Sequence, residues 1–208
     1  MVPEFDVGCY VNYDPSKLSE ITAEDVANYC GPGWNADYEP LYDVTWEDAN
    51  CALEIEREAL DRACQADDAA GFEAALELVT EEAYEKEDDG YFSLIGGFDL
   101  GVAGLVMAIV ASGGATYTSC RGRAPGSLHL QRHPFVGVAL DADRAALISQ
   151  LVLTAGCCLY SIQDGYLAIG GSSVEHCHRL AKLIVEKREL FDRLSPPSWR
   201  EGLDELIE

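Results

Sequence analysis

The amino-acid sequence predicts an α/β (α+β) protein in which a small sheet, with helices packed mainly on one face, is preceded by an acidic helical hairpin. Three observations support this prediction. Residues 45–85 contain two stretches with apolar residues every three or four positions, the period of amphipathic helices. Residues 99–194 alternate helical stretches with short apolar runs of strand length, which is typical of layered folds. Residues 157–170 form two such runs around Asp164-Gly165, a β-hairpin signal.

The first half of the chain predicts one strand and the helical hairpin. Apolar residues alternate with polar or small ones over residues 5–13, which predicts a strand. Thr45 followed by Asp48 predicts a capped helix start, and Asp67-Asp68 divide the helical pattern that follows into two helices. The residues predicted to face inward are Trp46, Ala49, Leu53, Leu60, Cys64, Phe72, Leu76, Val79 and Ala83.

A run of charged residues at 81–89 predicts a solvated linker, with a domain boundary near residue 90. A chain of 208 residues is long enough for one large domain or two small ones. We therefore expect an acidic, mainly helical N-terminal region at residues 1–90 and an α/β domain at residues 91–208.

The second half predicts the order helix, strand, loop, strand, helix, hairpin, helix. The predicted elements are a helix to residue 112 with Asp99 as its N-cap, strands at 115–119 and 134–140, a helix from Asp141 to a stop at Gly156, the hairpin 157–170, and a helix at 173–194 behind a Ser172–Glu175 capping box. The first of these helices is apolar on nearly all sides, so we expect it to be buried.

Acidic residues are concentrated in the first half of the chain. The formal net charge is −23, and residues 1–99 hold 26 acids and 4 bases whereas residues 100–208 hold 11 acids and 10 bases. Because phosphate contacts dominate nucleic-acid affinity, this charge argues against general nucleic-acid binding. It favours either a solubilising surface or an interface for a basic partner.

Targeting signals and metal-binding motifs are not evident. The N-terminus has acids and no basic segment before an apolar one, and the longest apolar run, 100–111, is too short to span a bilayer. With eight cysteines and no secretion signal, we expect reduced thiols in a cytoplasmic protein without a membrane segment. His176 and His178 would point about 200° apart on a helix, and CxxC pairs are absent, so no metal site is predicted.

The loop within residues 115–133 is the predicted functional site. No Asp or Glu occurs between residues 100 and 140. The basic residues and histidines of this window are Arg121, Arg123, Arg132, His129 and His133. Arginine binds phosphate or carboxylate bidentately, and Gly122 would let the backbone donate N–H groups as well. We therefore predict an anion or nucleotide-type site on the 116–133 loop. Its predicted ligand-binding residues are Thr118, Ser119, Arg121, Gly122, Arg123 and His129. An equally weighted alternative is that these arginines pair with the acidic hairpin of the same chain.

Cys120 and His133 are the candidate catalytic residues. Positive neighbours stabilise a thiolate, so we expect the pKa of Cys120 to fall below its ordinary value of about 8.5. His133, or His129, would then serve as general base if the loop folds back. The alternative is that Cys120 packs as a small hydrophobic residue.

The loop Thr118-Ser119-Cys120-Arg121-Gly122-Arg123 resembles a motif of the tRNA-wybutosine-synthesizing methyltransferase family. That family has Thr-Ser-Ser-Cys-Ser-Gly-Arg after a helix, and here Arg121 stands where a serine is expected. The order of predicted elements over residues 99–194 is also similar. The resemblance implies that this loop helps to form the ligand site of an S-adenosylmethionine-dependent methyl transfer to a tRNA base.

Two hypotheses of function follow. The first is a ligand-binding or catalytic α/β domain whose loop takes a small anionic or nucleotide-like ligand, with S-adenosylmethionine as the cofactor that the resemblance implies. The alternative is an acidic interaction protein, of inhibitor, immunity or antitoxin type, that binds a basic protein partner through its N-terminal half. The acid-free window favours the first hypothesis, and the sequence leaves open whether the chain is an enzyme.

Overall fold

A computed structural model of the chain describes residues 2–18, 20–27, 41–85, 95, 97–122, 131–162 and 164–206. The helices are α1 (Ala23–Ala27), α2 (Trp46–Ala63), α3 (Ala69–Glu85), α4 (Ala103–Ala111), α5 (Ala142–Ala155), α6 (Val174–Glu186) and α7 (Arg188–Phe191). The strands are β1 (Val11–Asn12), β2 (Ala115–Cys120), β3 (Phe135–Ala139), β4 (Cys157–Ser161) and β5 (Leu167–Gly171). The predicted α/β class is confirmed.

The five strands form one mixed sheet in the order β1-β4-β5-β3-β2. β1 is parallel to β4, and the other neighbours are antiparallel. The predicted hairpin is confirmed: β4 and β5 pair, and Asp164 (φ 56°) and Gly165 (φ 81°) adopt left-handed backbone between them. The strand predicted at 5–13 is confirmed only at β1. Upstream of it, the Phe5 N–H donates to the Ser172 carbonyl instead of joining the ladder.

The long helices of the second half pack on one face of the sheet, as predicted. The buried core between α4, α5, α6 and the sheet includes Leu105, Ile109, Val136, Ile148, Leu159, Ile169 and Ile184. A smaller buried cluster covers part of the opposite face, where the rings of Tyr117 and Tyr166 meet edge to face near Trp199. Strand β2, which leads into the predicted loop, is an edge strand, because it is the last strand of the order.

The helices α2 and α3 form the predicted acidic hairpin, and they share a core with the second half. Phe72 and Leu76 of α3 are fully buried in a cluster that also contains Leu100 and Met107. Arg62 of α2 donates two hydrogen bonds of 3.1 Å to the Glu82 carboxylate of α3. Residues on both sides of the predicted boundary near residue 90 therefore contribute to one core, and residues 86–94 lie outside the described residues.

Two predicted features of the hairpin need correction. Helix α3 extends to Glu85, so the charge run predicted as a linker at 81–89 begins inside a helix. Cys64, predicted to face inward, is exposed because α2 ends at Ala63 and the chain turns there. The Thr45–Asp48 capping box is confirmed, with the Thr45 side chain accepting the Asp48 N–H and the Asp48 carboxylate accepting the Thr45 N–H.

Helix starts in the second half are also corrected. The Ser172–Glu175 capping box is wrong: the N-cap of α6 is Ser173, and the hydroxyls of Ser172 and Ser173 both meet His176 Nδ1 instead. Asp99 does not cap α4, whose N-cap is Val102, a residue without a polar side chain. Within the described residues, no helix combines the length and the apolar character that crossing a bilayer requires.

Candidate functional site

The two ends of the predicted loop meet at Gly122 and His133. Gly122 has φ of +70°, and a Cβ atom built on it would lie 2.6 Å from the carbonyl carbon of His133, so only glycine fits there. Cys120 is opposite Phe135 in the β2–β3 ladder. Residues 123–130 lie outside the described residues, so the predictions for Arg123 and His129 fall there and stay predictions.

Arg121 lies at the base of this loop and is held by carboxylates of its own chain. Its side chain is 4% exposed. Nε donates to Glu73 at 3.0 Å, NH2 donates to Glu77, and NH1 lies 3.7 Å from Asp99. Burial opposes the charged guanidinium, but Asp99, Glu73 and Glu77 outweigh burial and raise the pKa of Arg121. The guanidinium that the sequence assigned to an external anion is thus paired with the acidic hairpin, the alternative that the sequence analysis left open.

The thiol of Cys120 does not have the environment predicted for a nucleophile. Burial raises the pKa of Cys120, and the neighbouring Asp99 carboxylate raises it further. The Gly122 backbone and Arg121 act in the opposite direction but are outweighed. The expectation of a lowered pKa is therefore wrong, because burial of the Cys120 thiol, together with the Asp99 carboxylate, outweighs the positive charge of Arg121.

The other described residues of the predicted site are Thr118, Ser119 and His133. Thr118 and Ser119 are half-buried strand residues opposite Gly137 and Val136. Burial lowers the pKa of His133, whose ring lies beside Gly170 of β5. The described base of the loop therefore offers no unpaired guanidinium to an anionic ligand, because Arg121 is already paired with Glu73, Glu77 and Asp99.

Comparisons with protein-family models, curated proteins and solved structures found no match to this chain. The resemblance to the wybutosine methyltransferases thus stays a prediction from the loop sequence.

A buried carboxylate that the sequence analysis missed lies where α2 crosses α4 and α6. Glu56 of α2 is fully buried. Its Oε1 accepts the N–H groups of Gly101 at 2.8 Å and of Gly104 at 3.2 Å, and its Oε2 lies 3.0 Å from His178 Nδ1. Glu56 thus caps the start of α4, which has no polar side chain of its own for that purpose. Gly104 permits the approach, since a Cβ atom there would lie 2.8 Å from Oε2.

A groove of about 600 Å³ lies between α2 and α6, with His178 in its wall. Because His178 Nδ1 faces Glu56, the ring nitrogen Nε2 is left for the groove, and no described residue hydrogen-bonds it. The side chain of His178 is 18% exposed. The charged residues that line the groove are Glu54, Arg57, Asp61, Glu175, Arg179 and Lys182. Cations and acids balance, so the groove is locally neutral in a strongly acidic protein.

The two histidines of α6 have separate partners, as their spacing predicted. His176 contacts the serine hydroxyls before α6, His178 contacts Glu56, and Cys177 between them is fully buried. Among the residues described by the structure, no three His, Cys, Asp or Glu side chains come close enough together to hold a metal ion.

The outer surface of the hairpin is dominated by carboxylates. We call this surface the acidic face; its exposed acids are Glu47, Glu54, Glu58, Asp61, Asp67, Asp68, Glu77, Glu81 and Glu85. The basic residues of α2 and α3 are Arg57 and Arg62, and both already form ion pairs, with Asp61 and Glu82 respectively. Leu78 is 47% exposed on α3. It follows Ala74 by four positions and precedes Glu81 and Glu85, so these residues share one stripe of the helix.

Proposed function

We propose that this chain is an acidic interaction protein that binds a basic protein partner through the acidic face of its α2–α3 hairpin. The observation that supports this most directly is the excess of exposed carboxylates on that face, where both local arginines are already paired. Such a surface attracts a cationic patch on a partner protein across distances up to a Debye length, and this attraction raises the association rate of the two proteins.

The stripe on α3 gives the acidic face the composition of an interface. Protein interfaces combine an apolar centre with a polar rim. Here Leu78 and Ala74 are exposed on the outer side of α3, and Glu81 and Glu85 follow them on the same stripe. Within the described residues, neither Glu81 nor Glu85 has an ion-pair partner, so their charge is available to a partner.

The loop hypothesis has less support from the described residues. Arg121, the residue expected to bind an anion, is paired with Glu73, Glu77 and Asp99. A loop site, with or without methyl transfer, now depends on Arg123 and His129, whose surroundings are not described. We therefore place the interaction hypothesis first.

The test uses charge reversal on the acidic face. The immobilised protein captures proteins from a lysate of the source organism at low salt, and captured proteins are identified and purified. Association with the purified partner is then measured for the wild type and for Glu81→Lys/Glu85→Lys. Glu73 and Glu77 are left unchanged, because they hold Arg121 and their reversal would disturb the fold. The matched control is Glu189→Lys/Glu201→Lys, two exposed acids of the C-terminal segment with the same change in net charge.

We expect the association rate at 50 mM salt to fall about tenfold in Glu81→Lys/Glu85→Lys and to change much less in the control. The difference should shrink as salt is raised, because exposed charges are screened. Failure to capture any basic protein at low salt, or equal rates for the two double variants, would reject the acidic face as the binding surface.

A further inference from the structure

We propose that the groove between α2 and α6 binds a small zwitterion of the amino-acid or dipeptide class, with His178 as the residue that recognises it. The groove shares Glu54 and Asp61 with the acidic face but none of the α3 stripe of Leu78, Glu81 and Glu85, and it does not depend on a protein partner.

Glu56 fixes the orientation of His178. Its carboxylate lies 3.0 Å from Nδ1 and is itself held by the N–H groups of Gly101 and Gly104, so it cannot turn away. In the neutral ring, a proton on Nδ1 that is donated to Glu56 leaves Nε2 as an acceptor. A carboxylate behind a histidine is the usual device for holding one tautomer toward a ligand. His178 therefore presents a fixed hydrogen-bond acceptor to the groove.

The charges on α6 are separated along the wall of the groove. Glu175 precedes His178 by one turn, whereas Arg179 and Lys182 follow it, and all three line the groove. A zwitterion aligned with α6 would place its ammonium between Glu175 and His178 Nε2, and its carboxylate beside Arg179 and Lys182. This order favours a zwitterion over a simple anion, because an anion would leave Glu175 without a positive partner in the ligand.

The present partners of these side chains are weak. Lys182 lies 4.0 Å from Glu186, and both are largely exposed. Arg179 donates to the Ala155 carbonyl at 3.5 Å, at the long limit of a hydrogen bond. Exposed pairs of this kind contribute little stability, so a ligand carboxylate can replace them. Leu53 and Leu60 add apolar surface to the groove, and its volume of about 600 Å³ is within the range of small-molecule sites.

The test measures binding of the common L-amino acids and of dipeptides to the full chain by NMR chemical-shift changes and thermal shift. The best binder is then compared with its two half-molecules, the acid without the amine and the amine without the acid. We expect the zwitterion to bind about tenfold tighter than either half, since each half loses one charge-assisted hydrogen bond.

Two variants separate recognition from folding. His178→Asn retains an N–H donor near the position of Nδ1 for Glu56 but lacks Nε2, so it should melt close to the wild type and bind about tenfold more weakly. Lys182→Ala should also weaken binding, whereas Lys187→Ala, an exposed lysine outside the groove, should not. The proposal is overturned if no member of the panel binds below about 10 mM, if a half-molecule binds as tightly as the zwitterion, or if His178→Asn binds like the wild type.

Discussion

Replacing Glu56 with alanine is expected to destabilise the hairpin strongly. The carboxylate is fully buried and accepts hydrogen bonds from Gly101 at 2.8 Å, from Gly104 at 3.2 Å and from His178 at 3.0 Å. Alanine removes all three acceptor contacts at once. Two backbone amides at the start of α4 would then be buried without a partner, and each such group costs about 1–3 kcal/mol.

The loss of unfolding free energy in Glu56→Ala depends on which of the three hydrogen-bond donors can be hydrated once the carboxylate is removed. His178 borders the groove and can be hydrated there, so losing its hydrogen bond to Glu56 costs little free energy. The two buried amides, at about 1–3 kcal/mol each, would cost about 2–6 kcal/mol together, and we take the middle of that span, the roughly 3–5 kcal/mol that removal of one partner from a buried charged pair produces. At about 2–4 °C per kcal/mol for a chain of this length, the melting temperature should fall by about 6–20 °C. Glu56→Gln retains an amide oxygen as acceptor, and its loss should be about 1–2 kcal/mol.

Urea unfolding followed by far-UV circular dichroism measures this free energy by linear extrapolation. Glu58→Ala on the same helix is the control, because that side chain is exposed and its change should stay within about 0.5 kcal/mol. A loss in Glu56→Ala no larger than in Glu58→Ala would mean that the carboxylate is not the acceptor for α4, and the orientation argued for His178 would fail with it.

Three further predictions concern the loop. Arg121→Ala should lower the free energy of unfolding by about 2–3 kcal/mol, at the low end for a buried ion pair because Glu77 reaches solvent. Arg121→Lys should recover only part of this free energy, since an ammonium lacks the planar fork of a guanidinium. A melting scan of Arg121→Ala that shows no loss of stability would contradict the ion-pair network. Cys120 should be alkylated by iodoacetamide at pH 7 more slowly than exposed Cys9, because burial raises its pKa; faster labelling of Cys120, read by peptide mass spectrometry, would contradict this. The NMR titration midpoint of His133 should lie below 6.5, since burial disfavours the charged form of the ring. The small stability that the neutral ring contributes is therefore present above pH 6.5 and is lost as the pH falls through the lowered pKa. A midpoint above 6.5 would contradict the burial of this ring.

Local signals in the sequence predicted the secondary structure well. The Thr45–Asp48 capping box starts α2, and Gly156 stops α5 with a left-handed φ of 83°. The helix predicted at 173–194 is divided at Lys187 into α6 and α7, but the apolar residues at its helical spacing are buried in both parts: Val174, Cys177, Ala181, Ile184 and Phe191. These features depend on residues within one or two turns of each other, so the sequence contains the whole cause.

The ion-pair partners of Arg121 could not be predicted from local sequence signals in the same way. Arg121 is 48 residues from Glu73 and 44 from Glu77, and no local pattern connects them. An acid-free window in the sequence is therefore not an acid-free region in the fold. The role of Glu56 did leave a signal, because it occupies the buried stripe of α2 together with Ala49, Ala52, Leu60 and Ala63. A charged residue on an apolar stripe predicts a buried partner, and the four-residue spacing from Ala52 and to Leu60 was sufficient to find it.

The total number of acids in the hairpin overstates the charge that a partner can use. Glu56 caps a buried helix, Glu73 and Glu77 hold Arg121, and Glu82 pairs with Arg62. Changing any of these alters the fold as well as the surface charge, so a loss of binding in such a variant would not identify an interface. Residues such as Glu81 and Glu85, which are exposed beside Leu78, change the charge with little effect on folding. An interface on this hairpin must therefore be mapped with variants of exposed acids such as Glu81 and Glu85. A loss of partner binding that depends on salt and occurs only in those variants is the result that only an acidic binding surface explains.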